Sequence, residues 1–180
     1  MGEIIVEGSN ALSFLQKLLT NDVSKCAINQ AQYNLMLNER GGVIDDLIIY
    51  RLDEQKYLLV VNASNKDKDY AWISSVAKDV SSLSVKDVSD EWAQIAVQGP
   101  KAVQLVNDLF PESTDIKKFR FKFLDQNGTQ WLVARTGYTG EDGFEIYGPN
   151  QAAAKMWNTL MDKGTAYGVT LCGLGARNTL

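Results

Sequence analysis

Gln94-Ile95-Ala96-Val97-Gln98-Gly99-Pro100 reads as a short strand that stops at a glycine and hands over to a helix. Pro100 stands where a helix takes its first residue, and Val103, Val106 and Leu109 or Phe110 continue as an apolar stripe at helical spacing. The same shape opens the chain. Ile4-Ile5-Val6-Glu7-Gly8 is an apolar run closed by glycine, and a helix pattern with Leu12, Leu15, Leu18 and Leu19 starts at about Asn10.

Each of these units is followed by strands and then by a second helix. In the first half, strands are predicted over 32–37, 43–50 and 57–61, with a helix from about Asn65 that Ser64 can cap, Asp67 lying three residues on. In the second half, strands are predicted over 119–124, 130–135 and 144–147, with a helix over 150–163 that Gly164 is placed to end. The turn signals Asp53-Glu54-Gln55 and Asn127-Gly128 favour antiparallel hairpins. The expected fold is therefore α+β with antiparallel sheets, in two pseudo-repeated halves of about 1–90 and 91–180. A pseudo-twofold arrangement of such halves would bring their matching loops toward one cleft.

Composition narrows the function classes. The 180 residues carry a net charge of −4, which argues against bulk electrostatic binding to nucleic acid or an anionic membrane. No apolar stretch approaches the roughly 20 residues of a spanning helix. Met1-Gly2-Glu3 runs directly into a strand pattern, so no secretory signal is expected. Cys26 and Cys172 lie far apart with no C-x-x-C spacing and read as reduced thiols of a cytoplasmic protein, although one bridge stays open. There is no histidine, so imidazole acid–base chemistry and histidine metal sites are excluded, and no metal site is expected.

Two glycine-rich acidic segments occupy corresponding places in the halves. One is Asn38-Glu39-Arg40-Gly41-Gly42-Val43-Ile44-Asp45-Asp46-Leu47-Ile48-Ile49-Tyr50, where paired aspartates open an apolar run. The other is Gly137-Tyr138-Thr139-Gly140-Glu141-Asp142-Gly143-Phe144-Glu145-Ile146-Tyr147. Strand alternation sends Asp45 and Asp46 to opposite faces, so one is expected in solvent while the other points to a cleft. Glu145 faces away from Phe144 and Ile146, and its bland reading is an exposed strand glutamate. Glu141 and Asp142 are expected to be solvated at a turn tip. Tyr33 and Tyr138 suit half-buried sheet aromatics, and the four tryptophans suit core or core-edge positions. Neither Gly41-Gly42 nor Gly173-Leu174-Gly175 has the context of a phosphate or dinucleotide loop.

These segments resemble the aminomethyltransferase family, the T-protein of the glycine cleavage system. The resemblance is carried by Met36 through Tyr50, Val60-Val61-Asn62-Ala63-Ser64-Asn65, Val97-Gln98-Gly99-Pro100-Lys101-Ala102, Arg135 through Tyr147 and Gly173 through Arg177. Met1-Gly2-Glu3 and Thr20-Asn21-Asp22-Val23 add to it. It covers the whole chain in register. Family members are about twice as long, so the chain looks like a central portion truncated at both ends. Exposed surface left by such truncation would favour self-association.

The resemblance implies a folate-binding α+β domain of two intertwined ferredoxin-like halves. It implies an aminomethyl group carried on lipoylated H-protein, transfer of its methylene to tetrahydrofolate, and release of ammonia with 5,10-methylenetetrahydrofolate. By the same resemblance Asp46 is the catalytic carboxylate nearest the reacting N10 of folate. Glu145 is implied to accept the 2-amino group and ring N–H of the pterin, and Arg177 to pair with polar folate groups. Tyr33 and Tyr138 are implied to pack on the pterin and p-aminobenzoyl rings. Asn178 stands where the family usually has Asp, which removes a charge beside Arg177. A folate-dependent demethylase, the folate module of a sarcosine-type oxidase and a non-catalytic folate-binding piece stay open. The folate-binding iron–sulfur assembly relatives carry a cysteine in the loop matching 137–143, and this chain has none.

Overall fold

A computed structural model describes residues 1–179, the side chain of Arg177 excepted. The described chain divides into two compact units, Met1–Asp90 and Glu91–Leu180. In the first, strand β1 (Gly2–Glu7) leads to helix α1 (Ala11–Leu18). Strands β2 (Gln30–Leu37), β3 (Val43–Asp53) and β4 (Lys56–Val61), helix α2 (Lys66–Ala77) and strand β5 (Ser84–Asp87) follow. The second runs β6 (Trp92–Gln98), α3 (Ala102–Leu109), β7 (Phe121–Gln126), β8 (Thr129–Ala134), β9 (Gly143–Pro149), α4 (Asn150–Gly164) and α5 (Leu174–Arg177).

The strand orders expose the repeat. The first sheet is β2-β3-β4-β1-β5 and the second β6-β9-β8-β7, antiparallel at every recorded pairing. Read from the other edge, β7-β8-β9-β6 matches β2-β3-β4-β1 strand for strand, and β5 is an addition to the first unit. By this match the two acidic glycine segments do not occupy corresponding places, which corrects the expectation: 38–50 joins β2 to β3, whereas 137–147 joins β8 to β9, the counterparts of β3 and β4. Each sheet takes its strands from one unit alone, so the intertwining implied by the resemblance is absent from the strand pairing of the described residues.

The strand–Gly–helix units match in detail. Gly8 and Gly99 both take positive φ, 138° and 123°, which a side chain would strain, and each carbonyl accepts the first helical N–H, from Ala11 and Ala102. Ala11, Phe14, Leu15 and Leu18 are buried in α1, and Ala102, Leu105, Val106 and Leu109 hold the same positions in α3. Both stripes follow the spacing of one helix face. They include Ala11, Phe14, Ala102 and Leu105, and leave Leu12 and Val103 only partly buried. Two terminus expectations are corrected. Pro100 precedes α3 in a turn, because the chain needs Lys101 before the helix starts at Ala102. Helix α4 continues through Gly164 into a short 3-10 turn, and Gly168 takes the left-handed conformation. Gly164 matters for space instead: a Cβ there would lie 2.6 Å from the Val169 side chain.

The core of each unit lies between helices and one sheet face. In the first, Ile4, Val6, Leu47, Ile49, Tyr57, Leu59 and Val61 pack with Phe14, Leu15 and Ile73. In the second, Ile95, Val97, Val133, Phe144 and Ile146 pack with Leu105, Val106, Met156 and Leu160. The opposite sheet faces carry buried residues too, among them Tyr50, Leu58 and Val60, and Leu132, Ala134 and Tyr147. Cys26 is buried and Cys172 exposed, and no disulfide joins them. Among the described residues no helix is long and apolar enough to cross a membrane.

Candidate functional site

The first cluster grows from the turn before β3. Asn38 Oδ1 accepts N–H bonds from Arg40 and Gly42, and the Asn38 carbonyl accepts from Gly41, so the chain enters β3 through a closed loop. Alternation then separates the aspartates, but in the reverse of the solvated role expected for the partner of Asp46. Asp45 lies on the helix side with Leu47 and Ile49 and is only 6% exposed. Asp46 lies on the other face and is exposed.

Burying Asp45 is tolerable because it is heavily bonded. Its Oδ1 accepts from Asn62 Nδ2 and Asn65 Nδ2, both at 2.9 Å, and its Oδ2 from Asn62 N at 3.2 Å. Burial pushes the Asp45 carboxyl up. Hydrogen bonds from the Asp69 carboxyl, Asn62 and Asn65 outweigh it and hold Asp45 below the usual carboxylate range. Asp69 takes the opposite course: burial, then the bond and charge of Asp45, raise it to about 7. Neither buried oxygen of Asp69 receives a hydrogen bond from another group among the described residues, so the protonated acid is the form that suits its place beside Asp45. Lys68 Nζ stands 3.6 Å from Asp69. Asn65 spends its side chain on Asp45, and α2 begins with no side-chain cap, so the expected Ser64 cap does not form.

Asp46 is held from both sides. Tyr33 donates its hydroxyl to Oδ2 at 3.0 Å, and Asn62 Nδ2 donates to Oδ1 at 2.9 Å and to the Asp46 carbonyl at 3.2 Å. Register explains the first contact, since Tyr33 pairs with Ile48 and Leu35 with Asp46 on one face of β2 and β3. Desolvation, the bond to Asp46 and the charges of Asp46 and Asp45 raise the Tyr33 phenol above its ordinary value. Tyr33 remains 46% exposed, so its ring offers a flat surface beside a fixed carboxylate.

The second cluster centres on Glu145 in β9. It does face away from Phe144 and Ile146, yet it is only 4% exposed, which corrects the reading of an exposed strand glutamate. Gln94 Nε2 reaches Oε1 from the neighbouring strand at 2.7 Å, Thr136 Oγ1 donates to Oε2, and the Tyr147 hydroxyl donates to Oε2 at 3.4 Å. Donors from three different positions fix the orientation of this carboxylate.

The 135–143 loop above β9 is braced, not solvated throughout. Arg135 makes a two-bond pair with Asp142, Nε to Oδ1 at 3.0 Å and Nη2 to Oδ2, and its Nη1 donates to the Ile116 carbonyl at 2.9 Å. The Arg135 bond holds the Asp142 carboxyl below its ordinary range, so the expected solvated Asp142 is replaced by an ion pair. Gln98 Nε2 donates to the carbonyls of Thr136 and Phe144, at 3.1 and 3.0 Å, closing the loop base. Tyr138 stands at the tip, 61% exposed.

The sequence-predicted residues thus fall into two groups, each described within its own unit: Tyr33 with Asp46, and Glu145 with the loop that carries Tyr138. Arg177 ends helix α5, and its side chain lies outside the described residues. Sequence reasoning gave no role to Asn62, Asn65, Asp69, Gln94 or Thr136. Two asparagines three apart after an apolar strand were the available signal for Asn62 and Asn65. For Gln94 the signal was its strand parity with Ala96, which pairs with Glu145.

The sequence model of the GCVT N-terminal domain family matches residues 1–180. The chain is 52% identical over 181 residues to an aminomethyltransferase of Exiguobacterium sibiricum, covering 100% of this chain and 49% of that protein. It is 50% identical over 182 residues to an aminomethyltransferase of Chlorobium limicola, with coverages of 100% and 50%. The crystal structure of glycine cleavage system aminomethyltransferase T from Bartonella henselae superimposes with a TM-score of 0.87 at 34% identity, over 99% of this chain and 47% of that one. Heterotetrameric sarcosine oxidase from Corynebacterium sp. U-96 gives a TM-score of 0.66 at 13% identity, over 96% and 83% of the two chains, a likeness of fold alone. The chain spans about half the length of the curated relatives it matches.

Proposed function

The chain belongs to the GCVT aminomethyltransferase family, and on that premise we propose that it binds tetrahydrofolate and serves aminomethyl transfer in the glycine cleavage system. The partner is the lipoylated H-protein, and the products are 5,10-methylenetetrahydrofolate and ammonia. The observation that carries this reading is Glu145, a buried carboxylate on the sheet face opposite the helix-packed core and held by Gln94, Thr136 and Tyr147. A fixed carboxylate suits the adjacent 2-amino and ring N–H donors of a pterin, a pairing strengthened by charge. Tyr138 and Tyr33 supply exposed rings for the flat parts of the ligand. Arg177 is assigned to polar groups of folate.

Asp46 is assigned to the reacting end. An aligned carboxylate there orients N10 toward the carbon being transferred and stabilises the positive charge that develops on the way. The clamp by Tyr33 and Asn62 fits that task, because a pre-oriented charge needs no reorganisation at the moment of reaction.

Calorimetric titration of the chain with tetrahydrofolate, paired with an assay of methylenetetrahydrofolate formation from aminomethylated H-protein, tests the reading. Binding that Glu145→Gln weakens, with turnover that Asp46→Asn removes, is the expected result. Binding without turnover supports a non-catalytic folate-binding piece. Absence of binding at millimolar tetrahydrofolate refutes the proposal.

A further inference from the structure

Asp46 is an exposed side chain near the start of a strand, a position where rotamers ordinarily interconvert. Its second partner, Tyr33, is nearly half exposed and belongs to the same open face. Asn62 is different. Its backbone N–H donates to Asp45 Oδ2 at 3.2 Å and its Nδ2 to Asp45 Oδ1 at 2.9 Å, so it is tied twice to a buried anion. The same Nδ2 reaches Asp46 Oδ1 at 2.9 Å and the Asp46 carbonyl at 3.2 Å. Every atom it meets on that side is an acceptor. The amide must therefore present its NH2 there, and the flipped orientation would set its oxygen against two carboxylates.

We propose that Asn62 is the positioning residue for Asp46, transmitting the fixed geometry of buried Asp45 to the exposed carboxylate. The inference rests on the proposed function only for its purpose; the clamp itself is independent of any ligand. Asn65 provides the comparison that separates positioning from plain stabilisation. It donates to the same Asp45 oxygen at 2.9 Å and makes no bond to Asp46. Removing either asparagine strips one side-chain donor from Asp45, but only Asn62 carries the effect across to Asp46. The charged groups facing the cluster are Asp45, Asp46, Asp69 and Lys68, and Tyr33 is the phenol in contact.

Tyr33 reports the orientation of Asp46 without any substrate, because its raised phenol depends in part on that hydrogen bond. The test uses the whole chain with tyrosine labelled at Cζ, Tyr33→Phe identifying the Tyr33 resonance in an NMR pH titration. In Asn62→Ala the Tyr33 midpoint is expected to shift down toward its ordinary value, while in Asn65→Ala it stays where it is in the parent. No shift in Asn62→Ala, or an equal shift in both variants, overturns the proposal. Should Asn62→Ala not fold, exchange of the Asn62 side-chain amide protons in the parent and in Asp46→Ala decides the matter. Exchange accelerated severalfold by Asp46→Ala supports the clamp, and unchanged exchange overturns it. A chain that shows these effects but binds no tetrahydrofolate refutes the proposed function and leaves the positioning role standing.

Discussion

Asp69→Asn probes the buried acid pair, and the structure sets both its sign and its size. The Asp69 side chain has no exposed surface, and burial beside Asp45 raises it from 3.8 to about 7. In the unfolded chain an aspartate titrates at about 3.9. Between those two values the folded protein keeps a proton that the unfolded chain has released. Stability therefore falls as pH rises from about 4 to about 7, and the loss is complete above the folded value. Three pH units at about 1.4 kcal/mol each bound the loss at about 4 kcal/mol. Asp45 works against it: its lowered carboxyl adds stability that is present above the unfolded value. That contribution is present in parent and variant alike, so the bound of about 4 kcal/mol on their difference stands. Asparagine matches the protonated acid in shape and can donate Nδ2–H to Asp45, so the variant mimics the protonated state at every pH. Urea unfolding should find variant and parent within about 1 kcal/mol of each other at pH 4, diverging by up to about 4 kcal/mol in favour of the variant at pH 8. A variant less stable than the parent at pH 8 would refute a raised Asp69 carboxyl, as would a stability difference that does not change with pH.

Asp46→Asn should lower turnover about 10²–10³-fold while tetrahydrofolate affinity stays within about threefold, because the carboxylate is assigned to charge that develops in the transition state; steady-state kinetics beside calorimetry would show it. Asp45→Ala should act on the fold instead, lowering the urea midpoint by an equivalent of about 1–3 kcal/mol, since it strands the donors of Asn62 and Asn65. For Glu145→Gln the expected loss is about 10–100-fold in tetrahydrofolate affinity, the worth of one bond to a charged acceptor, read by titration calorimetry. Arg135→Met unfastens Asp142 and the Ile116 carbonyl, and should cost about 1–2 kcal/mol in thermal or urea unfolding. An unchanged melt would mean that the Gln98 bonds and the Gly99 N–H bond to the Asp142 carbonyl hold the 135–143 loop without Arg135.

Much of the architecture was legible because it depends on short-range patterns. Gly8 and Gly99 mark their turns by conformations that only glycine adopts freely, and the apolar spacing after each defines a helix face. Asn127 and Gly128 both take positive φ, 54° and 81°, as a tight two-residue hairpin demands. The element order and the repeat follow from such local preferences. Strand β5 was missed because Ser84-Val85-Lys86-Asp87 carries no apolar run; it is a strand because β1 offers it an edge.

The candidate residues divide along the same line. That Asp45 and Asp46 face opposite ways follows from strand geometry alone. Which of them is buried does not, because β3 is apolar on both faces: Leu47 and Ile49 on one side, Ile48 and Tyr50 on the other, so the pattern has no phase. The phase comes from the register that sets Leu47 opposite Val61 and brings Asn62, Asn65 and Asp69 to the Asp45 side. Glu145 repeats the lesson, its partner Gln94 arriving from a strand 51 positions away. The amino-acid order by itself determined the elements, their repeat and the types of acid available. The tertiary structure alone decided which carboxylates are buried and what holds them, because a charge is stabilised by donors that only long-range pairing brings within hydrogen-bond reach.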